Sequence, residues 1–378
     1  MKYFLIKVVT IILNIIYFFI KLFRTKNKIT FISRQSNKPS LDFELIDKEI
    51  KKHNKYRTII LCKKLEGKEN ASFISLIKYG FHMFKQIYHI ATSKVVILDS
   101  YCIPISILKH KKSLKVIQIW HSVGTMKKFG YDIIDQEEGN SSKMTKIMKM
   151  HKNYDVILCA GEGYRHDLAR QFGYPEDKIE IIPLPRLDLL YDKKYIEKTK
   201  EKIFKKYTIL KNKKNIIYVP TFRNDEKKLE IHINKLIKLI DYNKYNLIIK
   251  LHPLSKINIS DKRVIIPDDF NSMEMILVSD YVITDYSCIL YEAGFINKPL
   301  YFDAFDYEEY NKNRSLNLDY FKELPGVVTK NIEEIINSIE NDKYDYKKLK
   351  TFINKYIKYD SNSAKKIYNL IENIVNNK

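Results

Sequence analysis

A histidine that could act as a general base follows the predicted strand Val116–Trp120. It is His121, and a glycine that favours a turn comes three residues later, at Gly124. The imidazole pKa lies near neutrality, so a histidine held at a strand end could take a proton from an attacking hydroxyl. A structural histidine in a turn would leave the same pattern, so both interpretations stay open at this point.

Hydrogen-bond donors also follow two predicted strands in the second half of the chain. Arg223 ends the segment YVPTFR, and His252 ends IIKLH, where Pro253 stops the strand. An arginine fork matches the oxygens of a phosphate bidentately, and a histidine ring can add a further donor. The two residues together indicate a phosphate site, although a salt-bridged arginine and a turn histidine would explain each one singly.

The segment Ser279–Cys288, SDYVITDYSC, combines a strand that ends at Thr284 with a possible helix cap at Ser287. The helix would run to about Phe295, and its free N–H groups are suited to a diphosphate. The hydroxyls of Thr284 and Ser287 could add hydrogen bonds, and Asp285 lies between them. Capping alone would also explain Ser287.

Short β-branched runs alternate with helical patterns from residue 28 onward, which is typical of βαβ units and a mostly parallel sheet. The first series of predicted strands is Lys28–Ser33, Thr58–Cys62, Val95–Leu98, Val116–Trp120, Val156–Cys159 and Ile179–Ile182. The second series is Ile216–Val219, Leu247–Leu251, Val264–Ile266, Tyr281–Thr284 and Leu300–Phe302. The clearest helical patterns between them are Phe43–Asn54 and Asn271–Val278.

Two such series predict two doubly wound domains of residues 25–205 and 206–378, with a ligand cleft at the carboxyl ends of their strands. The boundary is placed near residue 205 because the charged segment Tyr191–Lys214 has the pattern of a helix and a connector. No G-x-G-x-x-G follows the first strand and no P-loop motif occurs, which argues against a dehydrogenase and a P-loop nucleotidase.

Residues 1–24 form an apolar stretch that predicts a membrane-associated helix. Its longest uncharged run, Val8–Ile20, is shorter than the roughly 20 residues of a typical spanning helix. Its polar residues fall on one stripe of a helix: Lys7, Thr10, Asn14, Tyr17, Lys21 and Arg24. This pattern favours an interfacial helix in which Lys7, Lys21 and Arg24 contact anionic headgroups. A spanning anchor is the alternative, and a cleavable signal peptide fits the pattern badly.

The chain is strongly basic, with 67 Lys and Arg against 45 Asp and Glu and a net charge of +22. Such a charge attracts an anionic membrane surface, phosphorylated substrates or nucleic acid. Nucleic acid is disfavoured because no nucleic-acid-binding motif occurs. The four cysteines are far apart in sequence, which argues against a disulfide scaffold and a cysteine zinc site and favours the cytosol.

Taken together and in order, these motifs resemble those of the CDP-glycerol glycerophosphotransferases, which build teichoic acids and related capsule polymers. The resemblance covers about residues 28–330. It is carried by Trp120–His121, Lys127–Lys128, Gly130, Phe172–Pro175, Pro185–Asp188, Pro220–Arg223, Lys250–Pro253, Ser279–Ser287, Lys298–Pro299 and Asp306–Tyr310. It implies an α/β fold of the GT-B type, CDP-glycerol as donor, a lipid-linked acceptor and a peripheral position on the cytoplasmic face of the cell membrane.

The resemblance also implies a reaction in which an acceptor hydroxyl attacks the glycerol-side phosphorus and CMP leaves. His121 would be the general base, and the diphosphate would be held by Arg223, His252, Thr284, Asp285 and Ser287. No D-x-D pair accompanies these motifs, so neither a tightly bound metal nor another cofactor is expected.

The sequence departs from the family pattern at three places. Ser122 replaces the usual Gly, residues 123–127 have the sequence VGTMK where the family has a Pro-x-Lys-like stretch, and Cys288 replaces a second Ser. The extra N-terminal region of polymerising members is absent, which resembles the short, primase-like members. Three alternatives stay open: a ribitolphosphotransferase, a GT-B glycosyltransferase with another nucleotide-activated donor, and an inactive membrane-bound scaffold protein. The sequence predicts neither the acceptor's identity nor the oligomeric state.

Overall fold

The structure, a computed structural model, describes residues 1–64 and 72–376, and the chain divides into two compact units. The first unit comprises Met1–Ser122, Phe129–Asp188 and Tyr359–Lys378. The second unit comprises Val123–Lys128 and Leu189–Lys358. This division of the chain differs from the predicted division at one boundary near residue 205. The chain enters the second unit briefly after residue 122, and the C-terminal segment Tyr359–Lys378 belongs to the first unit.

The first unit contains a six-stranded sheet in the order β2-β1-β3-β4-β5-β6, and every strand pair in it is parallel. Its strands are β1 (Lys28–Ser33), β2 (Arg57–Cys62), β3 (Val95–Leu98), β4 (Lys115–Gln118), β5 (Val156–Cys159) and β6 (Ile179–Ile181). Strands such as β3 are uniformly apolar because both faces of a parallel sheet are covered.

The second unit contains a second parallel six-stranded sheet, in the order β12-β11-β10-β7-β8-β9. Its strands are β7 (Lys214–Val219), β8 (Tyr245–Ile249), β9 (Val264–Ile265), β10 (Tyr281–Thr284), β11 (Leu300–Asp303) and β12 (Val327–Thr329). The predicted strands all overlap observed ones, and β12 is an additional edge strand that the sequence did not indicate. The prediction of an α/β fold with two doubly wound parallel sheets is therefore confirmed.

Helices connect most of these strands. The first eight are α1 (Lys2–Ile20), α2 (Leu41–Lys52), α3 (Phe73–Thr92), α4 (Ile103–Ile107), α5 (Ser142–Ile147), α6 (Arg165–Phe172), α7 (Arg186–Tyr191) and α8 (Lys193–Lys206). The others are α9 (Lys227–Leu239), α10 (Ser272–Met275), α11 (Ile289–Phe295), α12 (Tyr307–Asn313), α13 (Tyr320–Glu323), α14 (Ile332–Glu340), α15 (Tyr346–Tyr356) and α16 (Ser363–Asn376). Single 3₁₀ turns lie at Gly130–Ile133, Glu162–Tyr164, Glu176–Lys178, Thr208–Lys211 and Ile276–Val278.

The segment Val123–Lys128 is fixed in the second unit by long-range backbone pairing. The Lys128 N–H donates to the Ser315 carbonyl at 2.9 Å, and the Asn317 N–H donates to the Met126 carbonyl at 2.8 Å. Gly124 packs directly on the ring of Tyr291, so that a Cβ at residue 124 would lie 2.3 Å from the ring. A side chain at this position would therefore displace either the ring or the segment.

We predict that Gly124→Ala lowers the free energy of unfolding by about 1–3 kcal/mol, because the added methyl overpacks the contact with Tyr291. The matched control is Gly80→Ala in α3, where a Cβ meets nothing within 4 Å. There the substitution should stabilise the helix by roughly 0.5–1 kcal/mol. Chemical denaturation of both variants measures the difference, and equal effects at the two sites would contradict the packing argument.

Candidate active site

The strand order of the second sheet reverses between its two central strands, β7 and β10. Their ends are in register, with Val219 opposite Thr284. Crossover connections on one side lead to β8 and β9, and those on the other side lead to β11 and β12. Ligands bind α/β sheets at such a switch point, outside the carboxyl ends of the strands. The loops that begin there are Pro220–Arg223 and Asp285–Ser287, which both carry predicted site residues.

The carboxylate of Asp285 holds these two loops together. It is fully buried and accepts hydrogen bonds from the Thr221 N–H at 2.8 Å and from the Thr221 hydroxyl at 2.7 Å. It also accepts from Nη2 of Arg223 at 2.9 Å, and its own carbonyl accepts from the Tyr320 hydroxyl. Asp285 therefore binds protein groups, and its contribution to a phosphate site is to fix the loop that follows β7.

Arg223 lies between two carboxylates. Its Nε donates to Oδ2 of Asp306 at 2.7 Å, and its Nη2 contacts both Asp306, at 3.1 Å, and Asp285. Its guanidinium lies 4.7 Å from the centre of the Tyr310 ring and 5.2 Å from that of Tyr286. Burial opposes the charge of Arg223, but the two carboxylates outweigh burial and raise its pKa further above its ordinary value. The structure thus gives Arg223 the salt-bridged role that the sequence left open; its direct contact with a diphosphate stays a prediction.

Lys127, which the sequence analysis did not select as a site residue, lies beside this network. Its ammonium lies 5.3 Å from the centre of the Tyr310 ring, and in residues 1–64 and 72–376 it donates no hydrogen bond. Burial lowers the pKa of Lys127 to about 8. The positive charges of Arg314 and Arg223 also lower this pKa, whereas Cys288 and Asp285 raise it. The signal for it was available, because Lys127 lies in one of the segments that carry the family resemblance.

The remaining predicted phosphate ligands differ in their accessibility. Thr284 is fully buried, and its hydroxyl donates to the Val219 carbonyl at 2.8 Å inside the sheet. Ser287 is half-buried, and its hydroxyl oxygen accepts from the Ile289 N–H at 3.4 Å, where α11 begins. His252 is exposed, and its Nδ1 accepts from the Leu254 N–H at 3.2 Å. The hydrogen of a neutral His252 ring is therefore on Nε2, as a donor to a phosphate oxygen requires.

His121 belongs to the first unit and follows β4, as predicted. Its Nδ1 lies 3.1 Å from the carbonyl oxygen of Asp99, the residue after β3. Nδ1 also lies 3.3 Å from Nε2 of Gln35. A carbonyl oxygen can only accept and an amide nitrogen can only donate, so the contact with Asp99 suits a hydrogen on Nδ1 and the contact with Gln35 suits a lone pair there. The preceding residue, Trp120, has a left-handed φ of 62°, which ends the strand earlier than predicted and turns the chain at His121. The geometry places His121 at the carboxyl end of β4, and its role as general base stays a prediction.

One carboxylate of the first unit, that of Asp42, supports the segment around His121 through Arg186, and a second, that of Asp99, is buried nearby. Asp42, which is almost fully buried, forms an ion pair with Arg186 at 2.5 Å, and Nη2 of Arg186 donates to the His121 carbonyl at 3.2 Å. The side chain of Asp99 is also buried, and burial raises its pKa to about 6 against smaller opposing effects of Ser33 and Ser100. Arg186 was quoted in the sequence motif, but neither carboxylate was predicted.

A metal centre was not expected from the sequence. Among the described residues, no three or more His, Cys, Asp or Glu side chains are grouped so that they could hold a metal ion. The absence of a tightly bound metal in the working enzyme stays a prediction.

We predict that Arg223→Ala destabilises the protein by about 3–5 kcal/mol, because it leaves the buried carboxylates of Asp285 and Asp306 without their counter-charge. The matched control is Arg263→Ala, since Arg263 is exposed to solvent and pairs with Asp261, which is only partly buried. The control should leave stability nearly unchanged. Thermal denaturation compares the two variants, and a stable Arg223→Ala protein would show that the ion network does not maintain the fold of this unit.

Comparison with known proteins identifies the family. The family model described as CDP-glycerol:poly(glycerophosphate) glycerophosphotransferase matches residues 15–373. The teichoic acid ribitol-phosphate primase of Bacillus spizizenii is 28% identical over 92% of this chain and 92% of its own length. The teichoic acid glycerol-phosphate primase of Bacillus subtilis is 30% identical over 79% of this chain and 78% of its own length.

The fold is also found in solved structures of the wall teichoic acid polymerase TagF, two of which were determined with CDPG. The TM-score is 0.72 at 20% sequence identity, over 99% of this chain and 97% of that one. At this identity the similarity shows the fold alone, which is the GT-B type that the sequence resemblance implied. The family match extends over most of the sequence, and the chain belongs to the CDP-glycerol:poly(glycerophosphate) glycerophosphotransferase family.

Proposed function

We propose that the chain is a primase-type transferase of teichoic acid or capsular polymer synthesis. It moves glycerol phosphate from CDP-glycerol to a hydroxyl of a lipid-linked acceptor and releases CMP. The observation that carries this proposal is the cluster of Lys127, Arg223 and Asp285 at the switch point of the second sheet, in a chain that belongs to this family. The match to two primases over most of their own lengths supports the primase-type assignment.

The second unit would bind the diphosphate of the donor. Lys127 supplies a partly buried positive charge, and the exposed residue His252 and the half-buried residue Ser287 supply further donors. Arg223, Asp285 and Thr284 act mainly by fixing the loops after β7 and β10, because their polar atoms are bound within the protein.

The transfer is a displacement at the glycerol-side phosphorus. The acceptor oxygen forms a new bond to this phosphorus, and the bond between the phosphorus and the bridging oxygen breaks, so that CMP leaves with the bonding electron pair. Nε2 of His121 takes the proton of the attacking hydroxyl. Most of the remaining catalysis is positioning and electrostatic stabilisation, as in other phosphoryl transfers.

CDP-ribitol is the second candidate donor. The specific observation in its favour is the ribitol-phosphate primase of Bacillus spizizenii, which matches 92% of this chain. Lys127, His252 and Ser287 would contact the diphosphate, which the two donors share. The choice between glycerol and ribitol would therefore depend on residues that contact the polyol.

We further propose a peripheral location on the cytoplasmic face of the cell membrane. Among the described residues, one helix, Tyr3–Ile20, is long and apolar enough to cross a membrane. Lys7 and Arg24 are exposed near its ends and could contact anionic headgroups, while Nζ of Lys21 donates to the Lys109 carbonyl at 3.3 Å. A lipid-linked acceptor would be available to an enzyme held at this surface.

The proposed donor is tested by incubating the full-length protein with labelled CDP-glycerol, CDP-ribitol or a UDP-sugar and a lipid-linked acceptor. We expect glycerol phosphate in the product by mass spectrometry. Ribitol phosphate in place of glycerol phosphate would favour the second candidate, and transfer of a sugar would contradict both.

In the same assay His121→Ala should lower kcat by about 10²–10⁴-fold and leave donor affinity nearly unchanged, because it removes the base and not the phosphate contacts. Turnover within a few-fold of the wild type would remove His121 from the mechanism.

We predict that Lys127→Met weakens CDP-glycerol binding by roughly 10- to 100-fold, as expected for loss of a charge-assisted contact. Wild-type affinity should also fall between pH 7 and 9, because the Lys127 ammonium loses its charge as the pH rises through its pKa of about 8. Lys127→Arg should abolish this pH dependence, since arginine stays charged.

The control for Lys127→Met is Lys128→Met, which removes the next lysine of the chain. Lys128 is held in the same segment by its backbone bond to Ser315, so a general disturbance of the segment would affect both variants. Calorimetry across this pH range measures the affinities. Equal losses in the two variants, or an unchanged affinity in Lys127→Met, would exclude Lys127 from the diphosphate site.

A further inference from the structure

Helix α3 exposes an apolar stripe that neither the sheet nor the proposed chemistry uses. The stripe recurs at intervals of three and four residues, which places its members on one face of the helix. Its members are Ile74, Ile77, Phe81, Phe84 and Tyr88. On the opposite side of the same helix, Ile87 and Ile90 are buried in the first unit. Helix α3 is therefore apolar on both sides, although only one of them packs in the core.

The neighbouring helix α1 continues this surface. Its exposed apolar side chains are Phe4, Leu5, Val9, Ile11, Ile12, Ile15, Phe18 and Phe19, and Leu22 and Phe23 follow its end. The rings of Phe23 and Tyr88 are in contact, with their centres 6.3 Å apart, so the two stripes meet. We call this combined surface the α1–α3 face. Contiguous apolar surfaces of this kind mark membrane or protein contacts in soluble proteins.

The polar side of α1 is bound to the first unit. Asn14 donates to the Ile107 carbonyl at 3.1 Å and accepts from the Lys109 N–H at 3.0 Å. The Tyr17 hydroxyl lies 2.9 Å from Nδ1 of His110, and Tyr17 is almost fully buried. An orientation across a bilayer would separate α1 from these partners. The bonds therefore favour a helix that lies along the surface of the unit with its apolar side outward.

The charge of the surrounding sequence matches an anionic surface. No Asp or Glu occurs in residues 1–41, 72–98 or 100–122, whereas Lys and Arg occur in all three segments. Lys78 and Lys85 lie on α3 itself. Basic side chains beside an apolar face are attracted to anionic headgroups while the apolar residues enter the acyl boundary.

We propose that the α1–α3 face as a whole docks into the interface of a bilayer that contains anionic lipid, with α3 as a second membrane-contact helix beside α1. Two helices joined side by side would fix the orientation of the first unit at the membrane, which a single helix cannot do. The proposal rests on the membrane location proposed above, and it adds a second element and a defined face to that location.

The test uses the full-length protein and vesicles of phosphatidylcholine with or without phosphatidylglycerol. Phe81→Glu places a charge in the centre of the α3 stripe at a side chain that is 73% exposed. The matched control is Ile231→Glu in α9 of the second unit, where the side chain is 70% exposed. We expect Phe81→Glu to weaken binding to the anionic vesicles at least tenfold, and Ile231→Glu to change it less than twofold.

Transfer to a water-soluble acceptor analogue separates this proposal from the proposed function. With this soluble analogue both variants should transfer at the wild-type rate. An absence of transfer by the wild-type protein would contradict the proposed function but not the membrane proposal. Unchanged vesicle binding by Phe81→Glu would overturn the proposal. So would a change in oligomeric state without a change in vesicle binding, which would show that the α1–α3 face binds a second copy of the chain. Equal binding to vesicles with and without phosphatidylglycerol would overturn the assignment to anionic lipid.

Discussion

The buried ion network of Asp285, Arg223 and Asp306 is the interaction on which the second unit's candidate site depends. It joins the loop after β7, the loop after β10 and the segment after β11, which begin at neighbouring strands of one sheet. Buried charges are costly to desolvate, and here hydrogen bonds from Thr221 and Tyr286 to the two carboxylates offset part of that cost. The three segments are therefore held in place before any ligand binds.

The sequence predicted the two sheets well because a buried parallel strand has a short, nearly continuous apolar sequence, which is easily recognised between helical patterns. It missed β12, which is three residues long and carries too little pattern to be recognised. It also did not select Lys127, whose position depends on pairing between residues 123–128 and 315–317. Such pairing joins distant parts of the chain and leaves no local periodicity. Arg223 was found by its position after a strand, but its carboxylate partners could be assigned only from the folded structure.

The N-terminal helix shows that a sequence pattern can identify the two faces of a helix without determining what each face contacts. The sequence predicts that the polar stripe of α1 contacts lipid headgroups through its basic side chains. In the structure Asn14 and Tyr17 of that stripe bond to the first unit, and the apolar side is exposed. Periodicity defines two faces of a helix, but the hydrogen-bonding partners that decide which face turns inward, here in the segment 105–110, come from elsewhere in the chain.

Trp120 has a practical consequence beyond its role in turning the chain. It is the single tryptophan of the sequence, and its ring centre lies 4.1 Å from that of His121 and 4.2 Å from that of Phe129. A protonated imidazole quenches a nearby indole more strongly than a neutral one does. The tryptophan fluorescence of this protein, unlike that of its 28 tyrosines, therefore comes from one place, and its dependence on pH reports protonation beside that ring, the candidate base included, without any label.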